Sequence, residues 1–234
     1  MKHIKHIFFD LDHTLWDFER NSKETLSELY DEFNLEPIIQ NKERFLATYQ
    51  TVNAIYWKKY RDGQIDKQTV RFGRFSDTLK RLKVERADEI GQMIGDEYVL
   101  RGPHKKYLFP NTHETLQNLQ NKFPLHIITN GFKEVQSVKM GGTDLNRYFQ
   151  LILCSEDVGV NKPNKRVFQR ALELTNCDPA HAVMIGDNIE ADIRGAQKVG
   201  MSTILFDPKK EHTAYSPQDN HLIIHDLKDL QSIF

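Results

Sequence analysis

The chain has 234 residues, of which 39 % are hydrophobic and 28 % are charged, and its net charge is −1. This composition is typical of a soluble globular protein, and the length allows one large domain or a domain with an inserted module. The near-zero charge, without basic clusters, argues against binding to a nucleic-acid polymer. No apolar run approaches the roughly 18 residues that a membrane-spanning helix needs. We therefore expect a cytoplasmic protein without a membrane partner, either a monomer or a homodimer.

The N-terminal part of the chain begins with a short strand pattern, which is followed by helical patterns. "HIFF" at 6–9 is a continuous apolar run. Residues 20–100 show no strand signal, and four amphipathic helical patterns follow one another there. These patterns cover 21–34, 41–63, 66–82 and 86–102. The sequence therefore predicts an all-helical insertion over 17–104, placed between two parts of a core formed by 1–16 and 105–234.

The C-terminal half alternates between strand and helix patterns. Continuous apolar runs of strand length lie at 125–129, 151–155, 182–186, 203–206 and 222–225. Helical patterns cover 165–176 and 190–200, the second of which ends at Gly200. Continuous apolar strands are typical of sheets covered on both faces, and alternation with helices favours parallel strands. We predict an α/β fold with a doubly wound, Rossmann-like parallel sheet.

Polar residues that can carry chemistry follow four of these strands. In an open parallel sheet, ligands bind beyond the carboxyl ends of the strands, so such residues are expected to converge. They are Asp10, Asp12 and Thr14 after the first strand, Thr129 and Asn130 after the second, Lys162 beyond the third, and Asp187 and Asp192 after the fourth. The two cysteines, Cys154 and Cys177, are too few for a disulfide framework or a metal cluster and are expected to pack in the interior.

The pair Asp10 and Asp12 indicates which chemistry this rim supports. Residues two apart on an extended strand point the same way, so their carboxylates repel each other unless a cation lies between them. Mg²⁺ prefers such hard oxygen ligands together with a substrate phosphate. Asp10 could then act as a nucleophile, and Asp12 as the acid and later the base, in phosphoryl transfer. Lys162 would neutralise phosphoryl charge.

Four short motifs together resemble those of the haloacid dehalogenase superfamily. "DLDHT" at 10–14 resembles its DxDxT motif, although His13 stands where many members have glycine. "TN" at 129–130, "KP" at 162–163 and "GDNIEAD" at 186–192 are similar to the second, third and fourth motifs, in the same order. The helical insertion after the first motif resembles the cap domain of these proteins.

The resemblance implies a role for each matching residue. Asp10 would form an aspartyl-phosphate, and Asp12 would be the general acid/base. Thr129, Asn130 and Lys162 would bind the phosphoryl group. Mg²⁺ would be held by the Asp10 carboxylate, the Asp12 backbone carbonyl and Asp187, with Thr14 and Asp192 as supporting residues.

A finer resemblance, in the first motif and the cap length, is to the YjjG/YfnB-type pyrimidine 5′-nucleotidases. It implies a Mg²⁺-dependent hydrolase of a small phosphorylated metabolite, with a pyrimidine nucleoside monophosphate as the expected substrate. A phosphatase of sugar phosphates or other small metabolites and a phosphomutase remain open as alternatives. Asp12 disfavours a haloacid dehalogenase, since those members lack the second aspartate. The intact motifs disfavour a non-catalytic binding module.

Four further residues lie in or near the predicted cap. Trp16 and Phe18, at its entry, could stack on a base, but packing at a hinge is the favoured interpretation. Arg71 and Arg74 are three apart in a helical pattern. For these two, a solvated or salt-bridged helix face is favoured over contact with substrate.

Overall fold

A computed structural model describes residues 1–212 and 221–234. The chain divides into two compact units, one formed by 1–18 with 106–234 and the other by 19–105. These boundaries differ by one or two residues from those predicted. Among the described residues, no helix is both long and apolar enough to cross a membrane.

The first unit contains a parallel sheet of six strands in the order β3-β2-β1-β4-β5-β6. The strands are β1 His6–Phe9, β2 Leu125–Thr129, β3 Phe149–Cys154, β4 Ala182–Gly186, β5 Ser202–Phe206 and β6 Leu222–Ile224. The fold class predicted from the alternating pattern, a doubly wound parallel α/β sheet, is confirmed. Three of the six predicted strands have the same bounds in the structure, and the others differ by one or two residues at one or both ends.

Strand β1 shows why its apolar run is unbroken. The side chains of Ile7 and Phe9 belong to one buried apolar cluster, and Phe8 belongs to another. Successive side chains of a strand point to opposite faces of the sheet, so both faces of β1 are covered. The edge strand β3 differs, because burial alternates along its first four residues.

The strand order reverses direction at β1. The chain places β2 and β3 on one side of β1, and β4, β5 and β6 on the other. Phe9 at the end of β1 pairs with Ile127 of β2 and with Ile185 of β4. A crevice opens at such a switch point, beyond the carboxyl ends of the strands. Asp10 is the next residue, and its backbone N–H donates to the Ile185 carbonyl at 2.9 Å, which fixes its position beside β4.

The helices of the first unit include one that the sequence patterns did not identify and that matters for the site. They are α6 Thr112–Gln120, α7 Lys133–Gly142, α8 Lys165–Thr175, α9 Gly195–Gln197 and α10 Leu230–Ile233, and a π-helical turn, Ile189–Arg194, leads into α9. The predicted helix over 190–200 is therefore split between that turn and α9. Helix α7 follows β2 directly and was missed, as was α6.

The second unit is all helical. Its helices are α1 Phe18–Glu32, α2 Glu36–Ile39, α3 Lys42–Arg61, α4 Arg74–Arg81 and α5 Ala87–Arg101, and a π-helical turn, Thr69–Gly73, precedes α4. Phe18 is the first residue of α1 but clusters with the first unit. The four predicted helical segments are confirmed, with shifted ends, and the short helix α2 was not predicted.

Arg74 corrects one prediction. It was expected on a solvated or salt-bridged helix face, yet it is only 4 % exposed. Its guanidinium donates to Asn53 Oδ1 at 2.7 Å and lies near the rings of Tyr49, Phe75 and Tyr98. The reason is that aromatic faces and one amide oxygen stabilise the buried cation in place of water. Arg71 is half-buried, with its guanidinium 5.4 Å from the ring centre of Phe72.

Candidate active site

Lys162 is the centre of a buried ion cluster at the carboxyl end of β1. Its ammonium donates to Asp10 Oδ1 at 2.7 Å, to Asp192 Oδ1 at 2.6 Å and to the Ile128 backbone carbonyl at 2.7 Å. These three bonds use all three ammonium protons. The lysine side chain is 2 % exposed, so its charge has no access to bulk water and depends on these partners.

Asp187 and Asp192 complete a group of three carboxylates with Asp10. One oxygen from each lies within 4.8 Å of the others. The Thr14 hydroxyl donates to Asp187 Oδ1 at 3.3 Å. Asp192 is held more firmly, because its Oδ2 also accepts the Asn188 backbone N–H at 3.1 Å. The sequence prediction that these residues converge at one rim is thus realised in the geometry.

Gly186 makes room for Asp192. A Cβ at this position would lie 2.4 Å from Asp192 Oδ2 and 2.6 Å from its Cβ. These separations are shorter than van der Waals contact, so a larger residue cannot occupy position 186 while Asp192 stays in place. The glycine of the "GDNIEAD" segment therefore serves close packing at the end of β4.

Negative charge exceeds positive charge in this cluster. Three carboxylates face one ammonium, so full ionisation would leave a surplus of two negative charges. Burial, together with the neighbouring Asp192 carboxylate, raises the pKa of Asp187 to about 8, and burial also raises the pKa of Asp10 well above its usual value. Burial disfavours the charge on Lys162, but Asp10 and Asp192 raise its pKa nonetheless.

The donor set suits a small divalent cation. Carboxylate oxygens are hard ligands, which Mg²⁺ prefers, and a bound cation would relieve the surplus charge that raises the two pKa values. Asp192 is already engaged through both oxygens. Asp10 and Asp187 are the carboxylates best placed to ligate the ion, and Asp192 fits a supporting role.

Asp12 lies in a different environment from Asp10. Its Oδ1 accepts a hydrogen bond from the Lys139 ammonium at 2.6 Å, and its Oδ2 accepts one from the Gln136 amide at 2.8 Å. Burial disfavours the charge of Asp12, but the Lys139 cation and these hydrogen bonds hold its pKa below the usual value. Two carboxylates only two residues apart thus have pKa values shifted in opposite directions, which is the arrangement expected of groups with different roles.

Thr129 and Asn130 reach the same rim with their polar atoms already bonded. The Thr129 hydroxyl oxygen accepts from Gln136 Nε2 at 2.8 Å and from the Gly131 N–H at 3.1 Å. Asn130 pairs twice with the backbone of Lys162, at 2.8 Å and 3.0 Å. Asn130 therefore positions the Lys162 segment, and phosphate binding by Thr129 and Asn130 remains a prediction.

His13 and Trp16 have separate structural functions beside the rim. His13 has a φ of 64°, in the left-handed region that favours glycine. Trp16 is 2 % exposed, and the Lys139 ammonium lies 4.2 Å from the centre of its ring. Trp16 thus packs beneath the lysine, in agreement with the favoured interpretation.

Sequence reasoning missed Gln136 and Lys139, which contact Asp12 directly. Both lie on helix α7, three residues apart and therefore on one face. They are 1 % and 5 % exposed, which is unusual for such polar residues. The sequence did contain a signal, because Gln136 and Lys139 are polar residues at helical spacing next to Met140. Their segment begins just after β2, the strand that ends at Thr129.

The family model of the haloacid dehalogenase-like hydrolases matches residues 4–200. The chain belongs to this family. The membership expected from the four motifs is thereby confirmed, and with it the assignment as a hydrolase.

Relatives of known name cover nearly the whole chain. Pyrimidine 5′-nucleotidase YjjG of Escherichia coli is 32 % identical over 227 residues, which are 96 % of each protein. YfnB of Bacillus subtilis, named as a HAD-hydrolase, is 31 % identical over 209 residues, which are 89 % of this chain and 86 % of YfnB. The resemblance to YjjG and YfnB that was expected from the first motif and the cap length is confirmed.

Solved structures support the same fold. A crystal structure of YfnB bound to magnesium superposes with a TM-score of 0.88 at 27 % identity and covers 98 % of each chain. A 2-haloacid dehalogenase from Pseudomonas syringae superposes with a TM-score of 0.64 at 26 % identity. The family therefore includes proteins named for two different reactions, and the choice between them depends on the site residues.

Proposed function

We propose that the chain is a Mg²⁺-dependent phosphomonoester hydrolase that acts through an aspartyl-phosphate on Asp10. The observation that carries the proposal is the pair of aspartates at the end of β1, whose carboxylates lie in two different sets of contacts. Asp10 lies beside Lys162 and the other two carboxylates, and Asp12 is held separately by helix α7. Such a pair supplies one group that attacks phosphorus and one that moves protons.

The proposed first step is attack by an Asp10 carboxylate oxygen on the phosphorus atom. The bond between phosphorus and the ester oxygen breaks as an alcohol leaves. Asp12 takes up the proton of the bound monoanionic ester and passes it to that oxygen. Lys162 would bind the transferred group by exchanging its hydrogen bond to Asp10 for one to a phosphoryl oxygen. Mg²⁺, held by Asp10, Asp187 and the Asp12 carbonyl, would supply charge stabilisation for the phosphoryl oxygens.

The proposed second step regenerates Asp10. A water molecule attacks the phosphorus atom of the aspartyl-phosphate, and Asp12, now ionised, takes a proton from that water. The bond between phosphorus and the Asp10 oxygen breaks, and inorganic phosphate leaves. Burial disfavours the charge on Asp12, but Lys139 and Gln136 lower its pKa overall, which favours the ionised carboxylate that acts as this base.

The substrate class rests on the relatives. YjjG and the Streptococcus pneumoniae protein PynA are both named pyrimidine 5′-nucleotidases, and they match 96 % of this chain at 32 % and 27 % identity. We therefore propose a pyrimidine nucleoside 5′-monophosphate as the substrate and the helical unit as the cap that selects it. A small sugar phosphate is the second candidate, because a ribulose-1,5-bisphosphate 5-phosphatase of Halopiger xanaduensis is 37 % identical over 54 % of the chain.

A substrate panel with one variant tests the proposal. Purified protein with Mg²⁺ is assayed for phosphate release from nucleoside monophosphates, sugar phosphates and p-nitrophenyl phosphate. Asp10→Asn is expected to lower kcat by at least about 10³-fold, because it removes the nucleophile. Intact-protein mass spectrometry of acid-quenched wild type should detect one added phosphoryl group, absent from the variant.

The matched control is Asp157→Asn, on an exposed aspartate that pairs with Lys133 at the surface. It should retain wild-type activity. No turnover of any ester by wild type, or equal turnover by wild type and Asp10→Asn, would contradict the hydrolase mechanism. Faster turnover of sugar phosphates than of nucleotides would retain the mechanism and replace the substrate.

A further inference from the structure

Both oxygens of Asp12 are held by one face of helix α7. Lys139 contacts Oδ1 at 2.6 Å and Gln136 contacts Oδ2 at 2.8 Å. The sequence resemblance assigns these two residues no role. We propose that Gln136 and Lys139 are positioning residues that fix the Asp12 carboxylate for proton transfer. This inference rests on the proposed function, in which Asp12 is the acid and the base.

The orientation of the Gln136 amide follows from its partners. A carboxylate only accepts hydrogen bonds, so the NH₂ group must face Asp12. The same nitrogen donates to Thr129 Oγ1 at 2.8 Å, and Gln136 Oε1 is buried without a hydrogen-bond partner in the part of the chain that the structure describes. A buried unpaired oxygen is costly. The hydrogen bonds that the Gln136 NH₂ group donates to Asp12 and Thr129 offset this cost and connect the two residues.

Lys139 is fixed from a second direction. Its ammonium lies 4.2 Å from the ring centre of Trp16 and 5.8 Å from that of Phe18. Trp16 is itself buried, so the ammonium lies between a buried aromatic face and the Asp12 carboxylate. A lysine held in this way restricts the rotation of Asp12, whereas a solvated lysine would not.

Gly131 provides independent support for this arrangement. A Cβ at position 131 would lie 2.0 Å from Gln136 Nε2 and 2.4 Å from its Cδ. Only glycine therefore lets the Gln136 side chain cross the end of β2 to reach both Thr129 and Asp12. The backbone at Gly131 thus leaves room for the Gln136 side chain in the position that it occupies.

Within the described residues, the hydrogen bonds from α7 leave an acceptor site on each Asp12 oxygen for substrate or water. Each oxygen has two acceptor sites, and Lys139 or Gln136 uses one of them. Proton transfer needs a heavy-atom separation near that of a hydrogen bond, so a carboxylate held in position should transfer protons faster than a rotating one. The loss of either α7 residue should therefore slow proton transfer while substrate binding stays nearly unchanged.

Two phosphate esters separate this role from a merely structural one. The leaving group of p-nitrophenyl phosphate departs without a proton, whereas the alcohol of an alkyl ester needs one. Lys139→Met and Gln136→Leu should each lower kcat/KM for the best alkyl ester of the panel by about tenfold or more. General acid–base catalysis supplies a rate enhancement of roughly 10²- to 10⁴-fold, and the expected loss is part of that enhancement. For p-nitrophenyl phosphate, kcat/KM should change by less than about threefold, as expected where no proton is needed.

Three controls complete the experiment. Lys133→Met changes an exposed lysine on the same helix and should leave both esters unaffected. Lys139→Arg keeps the cation and should recover part of the lost rate. In an Asp12→Asn background, the α7 substitutions should cause no further loss, since the group they position has been changed.

Equal losses on both esters, or losses that persist in the Asp12→Asn background, would overturn the inference. If one variant does not fold, as judged by circular dichroism, the other provides the same test, because each contacts a different Asp12 oxygen. Failure of the proposed function would give a different result, because the wild-type protein would then hydrolyse no ester.

Discussion

Two buried lysines hold carboxylates on either side of the end of β1, and the two clusters differ in charge. Lys162 faces three carboxylates, Asp10, Asp187 and Asp192, whereas Lys139 faces Asp12 alone. The first cluster has surplus negative charge and raised carboxyl pKa values, and the second is balanced and has a lowered one. The surplus negative charge indicates that the first cluster fits a bound cation, whereas the charge of the second cluster is already balanced by the Lys139 ammonium.

The largest expected difference between the clusters is in stability. Lys162→Met leaves buried carboxylates without their cation and should lower the free energy of unfolding by about 3–5 kcal/mol. Lys139→Met should cost only about 1–2 kcal/mol, because the Asp12 side chain is 21 % exposed and water can replace the lost hydrogen bond. Urea unfolding in EDTA measures both values.

Adding Asp192→Asn to Lys162→Met provides the control, because it removes one of the unpaired charges and should recover part of the loss. Equal destabilisation by the two lysine substitutions would contradict the difference in charge balance.

A pH-dependent effect of Mg²⁺ is expected in the first cluster only. The pKa of Asp187 in the folded protein is about 8, above its ordinary value of 3.8, so the folded state binds this proton more tightly than the unfolded state. Stability in EDTA should therefore decrease as the pH rises from about 4 towards 8. Mg²⁺ should replace the proton and stabilise by about 2–3 kcal/mol at roughly 100 times its Kd, more at pH 8 than at pH 5.

Thermal unfolding with and without Mg²⁺ at the two pH values measures this effect. Asp187→Asn should abolish the Mg²⁺-induced shift in Tm, and Asp12→Asn should retain it, since only the Asp12 backbone carbonyl is expected to ligate the ion. A shift that is independent of pH would argue against Asp187 as a ligand.

The smallest expected difference between the two clusters is the stability cost of adding a methyl group at the glycine beside each of them. Gly186→Ala brings a methyl group against the Cγ and Cβ of Asp192, which cannot rotate away, and should cost about 1–3 kcal/mol. Gly131→Ala meets the far end of the Gln136 side chain, which can move aside only by giving up its hydrogen bonds to Asp12 and Thr129, and should cost about 0.5–1.5 kcal/mol. Thermal unfolding of both variants should give this order, and the reverse order would show that Gln136 is the less mobile side chain.

Much of the fold could be predicted from the sequence because its signals are local. The apolar run at 6–9 becomes β1 with unchanged bounds, and the run at 182–186 becomes β4. The polar residues that follow these strands converge because parallel strands end at one edge of the sheet. Helix α7 was missed because its buried face contains the polar residues Gln136 and Lys139 beside Met140, so it lacks the apolar stripe that marks an amphipathic helix.

By itself, the sequence determined the parallel α/β sheet, the helical insertion and the set of carboxylates with Lys162, since hydrophobic periodicity and residue spacing depend only on neighbours along the chain. Only the tertiary structure decided which charges are paired. It placed Lys139 and Gln136 on Asp12, 127 and 124 residues away in sequence, and enclosed Arg74 among aromatic rings. The physical reason is that the environment of a charged group depends on which distant side chains exclude water from it.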